Sequence, residues 1–292
     1  MTVRLSPLVA LVLALLLACT AAGCDEDGPG DGSTTPTTTT GPATTTAPDG
    51  GEPTAAEAEV RVYLVRGEHV GAVARAVTGP AVLRRALEEL MAGPTPGAEE
   101  AGLSTAVPDG VDVLDVSLAD GTATIDVSGA FAEGGGSLSM FLRLAQLVHT
   151  ATQFPSVERV ALRIDGEPVT TFSAEGIELP ETLTRADVEE QAPAILVESP
   201  LPGARVPAPL RVRGTANTFE ANVEWELVTA SGAVVASGFT TAACGTGCRG
   251  AFAFEKSFDA AGAATLRLFE RSAADGSETK VVEIPLVLAA GS

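Results

Sequence analysis

The sequence predicts an α+β fold in which a two-layer domain of helices and strands precedes an all-β sandwich. In the first folded unit, two apolar stripes at helical spacing interrupt segments of alternating hydrophobicity. Residues 194–288 contain only strand patterns, separated by turn signals. The chain has 292 residues, of which 45% are hydrophobic, so it is long and apolar enough for two ordinary domains.

Residues 1–23 have the pattern of an export signal. Arg4 supplies the positive start, and an unbroken apolar run covers residues 8–18. That run is too short for a spanning helix, and it ends in small residues that lead into a cysteine. These features resemble the lipobox of a bacterial lipoprotein, which implies a lipid on the new N-terminal cysteine. We therefore expect an extracytoplasmic protein that is lipid-anchored to the outer face of the cell membrane.

Two cysteines compete for the lipid, and counting the cysteines favours Cys24 over Cys19. If Cys24 carries the lipid, Cys19 leaves with the signal and only Cys244 and Cys248 remain, which predicts a disulfide between them. If Cys19 carries the lipid, Cys24 becomes an unpaired thiol outside the cell. Lipid on Cys19 stays open as the alternative, because Leu16 suits a lipobox ending there.

Charge and composition limit the partners. The net charge of −20 repels nucleic acid and anionic lipid head groups, so we expect membrane contact through lipid and no nucleic-acid partner. Residues 24–58 are rich in Thr, Pro and Gly, and no apolar side chain larger than alanine occurs there. Such a segment cannot form a core, so we expect a disordered tether.

The first folded unit, residues 59–180, is predicted to contain two helices on one face of a mostly antiparallel sheet. The helices begin at Gly79–Pro80, with proline in the first position, and at Ser137. The strands are expected to pair as three hairpins, two of which turn at Asp-Gly dipeptides. The predicted strands are 60–64, 70–77, 114–118, 123–127, 157–164 and 169–172.

A linker at residues 181–193 follows, and Thr184 with Asp187 predicts a short capped helix in it. The second unit, residues 194–288, is predicted to be an antiparallel sandwich with Trp225 at the centre of its core. Its seven predicted strands are 195–198, 210–214, 222–228, 234–239, 252–258, 265–269 and 280–288.

Both units resemble known domain families. The first resembles the GerMN domain of sporulation and spore germination, and the second resembles the immunoglobulin-like domain of bacterial spore germination. The segments that carry the first resemblance are 60–65, 87–94, 102–108, 126–128 and 144–154. Those that carry the second are 195–200, 214–221 and 269–272.

The resemblance implies a fold more than an activity. The GerMN fold resembles ring-building modules of sporulation complexes, and the domain also occurs in lipoproteins accessory to envelope sensor kinases. Neither family has defined catalytic residues, so the resemblance implies none in this chain. Members with the second domain often lack cysteines, so Cys244 and Cys248 are a departure from the family.

Several short motifs match by accident. Residues 245–250 satisfy G-x-G-x-x-G, but no βαβ pattern surrounds them, and we expect a hairpin loop instead of a dinucleotide site. The S-x-x-K at 277–280 has no partner motifs. His69 and His149, the only histidines, cannot build a metal site. We therefore predict no catalytic residue, no cofactor and no metal, and we interpret acidic pairs such as Glu189–Glu190 as solvated charge.

These observations predict a non-catalytic protein-interaction or assembly module of the cell envelope, in sporulation or germination. Its partner is an unknown envelope protein or a second copy. The alternatives are a ligand- or signal-sensing accessory of an envelope sensor kinase and, with less support, a cell-wall hydrolase. The candidate interaction loop contains Asn217, Phe219 and Glu220. Either Phe219 packs inward and Asn217 shapes the turn, or Phe219 is an exposed anchor with Glu220 on its polar rim.

Overall fold

The computed structural model describes residues 57–290, so the predicted signal peptide, Cys19, Cys24 and nearly all of the tether lie outside the described residues. Within that range no helix is both long and apolar enough to cross a membrane. The first domain has strands β1 (Glu57–Arg66), β2 (His69–Thr78), β3 (Val113–Ala119), β4 (Thr122–Val127), β5 (Arg159–Ile164), β6 (Glu167–Pro168), β7 (Thr171–Phe172) and β8 (Ile177–Glu178), and helices α1 (Val82–Met91), α2 (Pro96–Glu100) and α3 (Ser137–Ala151), with a 3-10 turn at Gly129–Ala132.

The β1–β2 hairpin forms as predicted, and helices α1 and α3 pack against each other and against β1. Helix α1 buries Ala86, Leu87 and Leu90, as its apolar stripe predicts. It begins at Val82 and not at Pro80, because Ala81 has a left-handed backbone (φ 62°) that a helix cannot contain.

The second sheet has the order β3-β4-β5-β6 and is not wholly antiparallel. Strands β3 and β4 form the predicted hairpin, but β4 and β5 run parallel, with α3 as the crossover between them. The third predicted hairpin is wrong in its second arm. Strand β6 pairs with β5 and the Val169 N–H donates to the Leu162 carbonyl at 3.2 Å, but Thr171 and Phe172 pair instead with β8.

Helix α3 is buried on nearly every side from Leu142 to Ala151, although one apolar stripe was predicted. Its polar residues therefore need internal partners. Arg143 has 2% of its surface exposed and donates to the carbonyl oxygens of Ala106 (2.9 Å), Phe131, Glu133 (3.1 Å) and Gly134 (3.4 Å). This one side chain holds the segment that precedes β3 against the segment that follows β4.

The segment predicted as a linker is packed against both domains. A 3-10 helix covers Arg185–Gln191, and the predicted capping box is present, with the Thr184 N–H donating to Asp187 Oδ2 at 2.7 Å. Val188 and Ala192 are buried in the core of the first domain, and so is Leu196 from the following strand. The predicted domain limits of 59–180 and 194–288 stay a prediction.

The second domain is a sandwich of a five-stranded and a three-stranded sheet, with the orders β10-β16-β15-β12-β13 and β14-β11-β9. The seven predicted strands are present, and a two-residue strand, β10, is added to them. The bounds are β9 (Ile195–Ser199), β10 (Arg205–Val206), β11 (Leu210–Ala216), β12 (Asn222–Thr229), β13 (Val234–Thr241), β14 (Gly250–Lys256), β15 (Gly262–Arg271) and β16 (Glu278–Leu288), with a 3-10 turn at Phe219–Ala221.

Trp225 lies in the core of the sandwich, as predicted. It is 4% exposed and stacks on Phe254 with ring centroids 4.5 Å apart. A Cβ at Gly238 would lie 2.9 Å from Trp225 Cζ2, so this glycine makes room for the indole on the neighbouring strand. The fold class, α+β followed by an all-β sandwich, is therefore confirmed.

Candidate functional site

The candidate interaction loop, residues 217–221, connects β11 to β12 at one end of the sandwich. Phe219 is 48% exposed, so the interpretation that its side chain packs inward is wrong. Thr218 fills the inward position instead, with 1% exposure. Glu220 has a left-handed backbone (φ 53°), which tips the chain at this point and leaves the Phe219 ring on the surface.

Hydrogen bonds on both sides hold the backbone of this loop. The Phe219 N–H donates to Glu270 Oε2 at 2.6 Å, and the Glu220 N–H donates to Thr246 Oγ1 at 2.9 Å. The Asn217 N–H donates to the Ala194 carbonyl at 2.8 Å. Phe219 is thus an exposed aromatic side chain on a backbone that is fixed before any partner arrives.

A disulfide between Cys244 and Cys248 closes the loop that lies against the interaction loop. The prediction of a hairpin loop at residues 245–250 is wrong, because β13 and β14 belong to different sheets and residues 242–249 cross between them. The G-x-G-x-x-G at 245–250 lies in this crossover, and strand β14 follows it, which excludes the dinucleotide interpretation.

The disulfide loop fits closely against residues 217–221. The Thr246 N–H donates to the Thr218 carbonyl at 2.9 Å, and the Gly247 N–H donates to Asn217 Oδ1 at 3.1 Å. A Cβ at Gly245 would overlap the backbone of Ala221, so only glycine fits there. Asn217 therefore shapes the turn, as stated in the interpretation that placed Phe219 inward.

Arg249, directly after the disulfide loop, ties this end of the sandwich to the segment between the domains. It donates to Glu189 Oε2 (2.7 Å), to the Pro193 carbonyl (2.8 Å) and to Thr215 Oγ1 (3.2 Å). Asn217 Nδ2 donates to the other oxygen of Glu189 at 3.3 Å. Glu189 is therefore a paired acceptor, and its interpretation as solvated charge is wrong.

A second polar cluster joins the two domains directly. The Tyr63 hydroxyl and Arg185 Nη1 both donate to Glu198 Oε1, at 2.7 Å and 2.6 Å. Burial would raise the pKa of Glu198, but the Arg185 charge and the Tyr63 hydrogen bond outweigh burial and hold that pKa below its ordinary value. Burial is the main cause that raises the pKa of the Tyr63 phenol, and the Glu198 charge raises it further.

His149 lies beside this cluster on α3. It is 1% exposed, its ring centroid is 5.1 Å from that of Tyr63, and neither ring nitrogen has a hydrogen-bond partner among the described residues. Burial, together with the nearby charges of Arg185 and Arg249, holds the pKa of His149 well below its ordinary value. Its imidazole is therefore neutral and enclosed.

Across residues 57–290, no group of three or more His, Cys, Asp or Glu side chains is placed to hold a metal ion. A groove of about 530 Å³ lies between β2, β9 and β16, and its lining is mostly apolar. Arg66, His69 and Glu283 are the ionisable side chains that line it.

Comparison with known proteins gives the class of protein. The family model described as sporulation and spore germination matches residues 48–170. The model of the immunoglobulin-like domain of bacterial spore germination matches residues 194–277. The chain thus contains a region that belongs to each of these two domain families. In particular, it carries a GerMN domain followed by the immunoglobulin-like germination domain, and neither is a known enzyme family.

Two solved structures are similar to parts of the chain. The first GerMN domain of the sporulation protein GerM from Bacillus subtilis is 26% identical, with a TM-score of 0.38, and covers 44% of this chain and 99% of its own. The tandem GerMN domains of the same protein are 18% identical, with a TM-score of 0.40, over 69% of this chain and 61% of theirs. No curated protein sequence matches the chain.

The enclosed His149 predicts acid sensitivity. Between about pH 7.5 and about pH 5.5 the unfolded chain gains a proton on this histidine, while the folded chain does not, so the free energy of unfolding should fall by about 1.4 kcal/mol. Urea unfolding at both pH values measures this fall, and His149→Leu should remove most of it. His69→Leu is the matched control, since His69 is exposed and its replacement should leave the fall intact.

Equal falls in wild type and His149→Leu would contradict this assignment.

Glu198 adds a separate effect at lower pH. Because its folded pKa is below the ordinary value, its contribution is present above the unfolded pKa and is lost as the pH falls through the folded pKa.

The disulfide predicts a modest loss of stability on removal. Cys244 and Cys248 are separated by 4 positions, and closing so short a loop stabilises by about 2 kcal/mol in the chain-entropy model. Replacing both with serine should lower the free energy of unfolding by that amount, seen as a lower urea midpoint, without unfolding the domain. Titration of two free thiols in protein isolated from the envelope, or an unchanged midpoint, would count against the bond.

Proposed function

We propose that this protein is a non-catalytic interaction or assembly module of the cell envelope that acts in sporulation or spore germination. The observation that carries the proposal is the exposed Phe219 ring on a loop whose backbone is already fixed. Aromatic side chains at the centre of a contact supply most of its binding energy. A backbone that is ordered beforehand loses little entropy when the partner binds.

The loop's surroundings support a contact with another protein. Glu220 is exposed beside Phe219 and provides a polar edge, which is the arrangement of a typical hot spot. The chain's net charge of −20 disfavours nucleic acid as the partner. The partner we propose is an envelope protein or a second copy of this chain.

A second candidate function is a ligand- or signal-sensing accessory of an envelope sensor kinase. The groove of about 530 Å³ between the two domains favours it, because concave, mostly apolar sites of that size are typical of small-molecule binding. A cell-wall hydrolase is the weakest candidate. His149, on α3, is enclosed and does not act as a base on any neighbouring hydroxyl or thiol among the described residues.

We also propose that a lipid on Cys24 holds the protein at the outer face of the membrane, with Cys19 as the alternative. The Cys244–Cys248 disulfide supports the choice, because lipid on Cys19 would leave Cys24 in the mature chain as a thiol with no cysteine to pair with, whereas lipid on Cys24 leaves no such thiol. Two acyl chains suffice for stable anchoring, at about 0.8 kcal/mol per buried methylene.

Replacing Phe219 tests the contact. Phe219→Ala should lower the amount of partner recovered by chemical crosslinking in cells by at least about tenfold, because the anchor ring is lost. The melting temperature should stay within about 1 °C, since nearly half of the ring is already in water.

Leu118→Ala is the matched control, because Leu118 is 46% exposed on a different domain and should leave recovery unchanged. A variant Phe219→Ala with normal recovery would refute the contact at this loop. Hydrolysis of peptidoglycan or an ester by the purified protein, abolished by a single acidic or serine substitution, would refute the non-catalytic role.

Mass spectrometry of the mature N-terminal peptide tests the anchor. We expect a peptide that begins at Cys24 and carries a diacylglycerol thioether. Cys24→Ala should leave the precursor uncleaved, whereas Cys19→Ala should leave processing intact. A peptide that begins at Cys19, or an unmodified one, would show the assignment to be wrong.

A further inference from the structure

Strand β13 is an unprotected edge of the five-stranded sheet. Among the described strands it pairs only with β12, so the backbone groups of its other side have no strand partner. Its sequence, Val234–Thr241, contains no charged residue and no proline. Proteins usually guard such an edge with lysine, proline or a covering loop, and an edge without these is a template for another strand.

The side chains of this edge are also exposed. Val234 is 53% exposed and Phe239 is 71% exposed, and these are the two most exposed large apolar side chains in residues 57–290. Isolated apolar side chains on a surface are ordinary, but two on one unpaired strand are typical of a contact.

Phe239 borders a hollow of about 480 Å³ on the outer face of the sheet. Glu224 and Glu226 of β12 lie opposite Phe239 and Ser237 in the strand register, and both glutamates line the hollow. An exposed aromatic ring next to two carboxylates suits a cationic side chain.

On the other side of β12, a similar cluster of an aromatic ring and carboxylates is paired with arginines of the chain itself. Phe269 lies opposite Glu224 on β15, and the guanidinium carbons of Arg267 and Arg271 are 5.6 Å and 5.3 Å from its ring centroid. Those arginines also pair with Glu226 (3.2 Å) and Glu224 (3.1 Å). Glu224 and Glu226 thus lie between two aromatic rings. Phe269 has arginines against it, and Phe239 has no cation against it among the described residues.

Within residues 57–290, no cation fills the Phe239 side. None of the cation–π contacts among the described residues involves Phe239, and the sequence has no lysine or arginine between Arg213 and Arg249. We propose that β13 is a docking site for an extended, basic segment of a partner protein. The segment adds to the sheet as a strand, and one of its Lys or Arg side chains lies over Phe239 against Glu224 and Glu226.

A second copy of the chain is disfavoured as the occupant. Two β13 strands side by side would bring together two molecules that each carry a charge of −20, and neither strand brings a cation to the other's Phe239. The docking site is separate from the Phe219 loop, so either surface can be tested without the other.

The test titrates the full chain with a blocked peptide of about eight residues that alternates valine and arginine, a length that matches the strand. A fluorophore on the peptide reports binding through its anisotropy. We expect saturable binding of this peptide and none of the peptide with glutamate in place of arginine. Phe239→Lys should weaken binding at least about tenfold, because it places a cation in the site and on the edge.

Leu118→Lys is the matched control, since it makes the same charge change on another exposed edge strand and should leave binding intact. Equal loss in the two variants, or equal binding of the arginine and glutamate peptides, would overturn the proposal. A dimer in sedimentation that Phe239→Lys abolishes would overturn it in favour of self-pairing. Circular dichroism of each variant confirms that the sheet is intact.

Discussion

One carboxylate oxygen, Oε1 of Glu198, holds the two domains and the segment between them in a fixed relation. It accepts from Tyr63 in the first domain and from Arg185 in the 3-10 helix, while Glu198 itself belongs to the first strand of the sandwich. Charged groups removed from water persist only when they are paired and hydrogen-bonded. A separation of the domains would break the Tyr63–Glu198 hydrogen bond.

The 3-10 helix between the domains is therefore a structural element of both. Val188 contributes apolar burial to the first domain, and Glu189 accepts from Arg249 of the second. The same helix connects the two polar clusters, since Arg185 belongs to one and Glu189 to the other. The loop that carries Phe219 is consequently fixed with respect to the whole folded part of the chain and not only to its own sheet.

Much of the fold follows from the sequence, because local patterns encode local structure. Alternation identifies β1, β2 and all seven main strands of the sandwich, and Trp225 lies in the core where period two places it. Pairing between distant segments leaves no such pattern. The parallel contact of β4 with β5, and the crossover that carries the disulfide, depend on topology that turn signals do not specify.

The candidate site was harder to predict from the sequence than the fold, because it also depends on contacts between distant segments. Phe219 gives no periodic signal in a short loop, and its exposure depends on the left-handed Glu220. Glu189 resembles any acidic surface residue until Arg249, 60 positions later, reaches it. Glu198 offered the one usable signal, since it directly follows an apolar run and lies next to a buried strand position.

The Tyr63–Glu198 contact has a mechanical consequence. A tensile load that enters the described part of the chain at Glu57 and leaves it at the Phe219 loop must cross from β1 into the sandwich. Tyr63 is one of the few hydrogen-bonded links on that path, and it lies within β1 itself. Its bond to Glu198 therefore transmits force between β1 and the sandwich. The stiffness of this junction limits how far a partner bound at the Phe219 loop can move relative to Glu57.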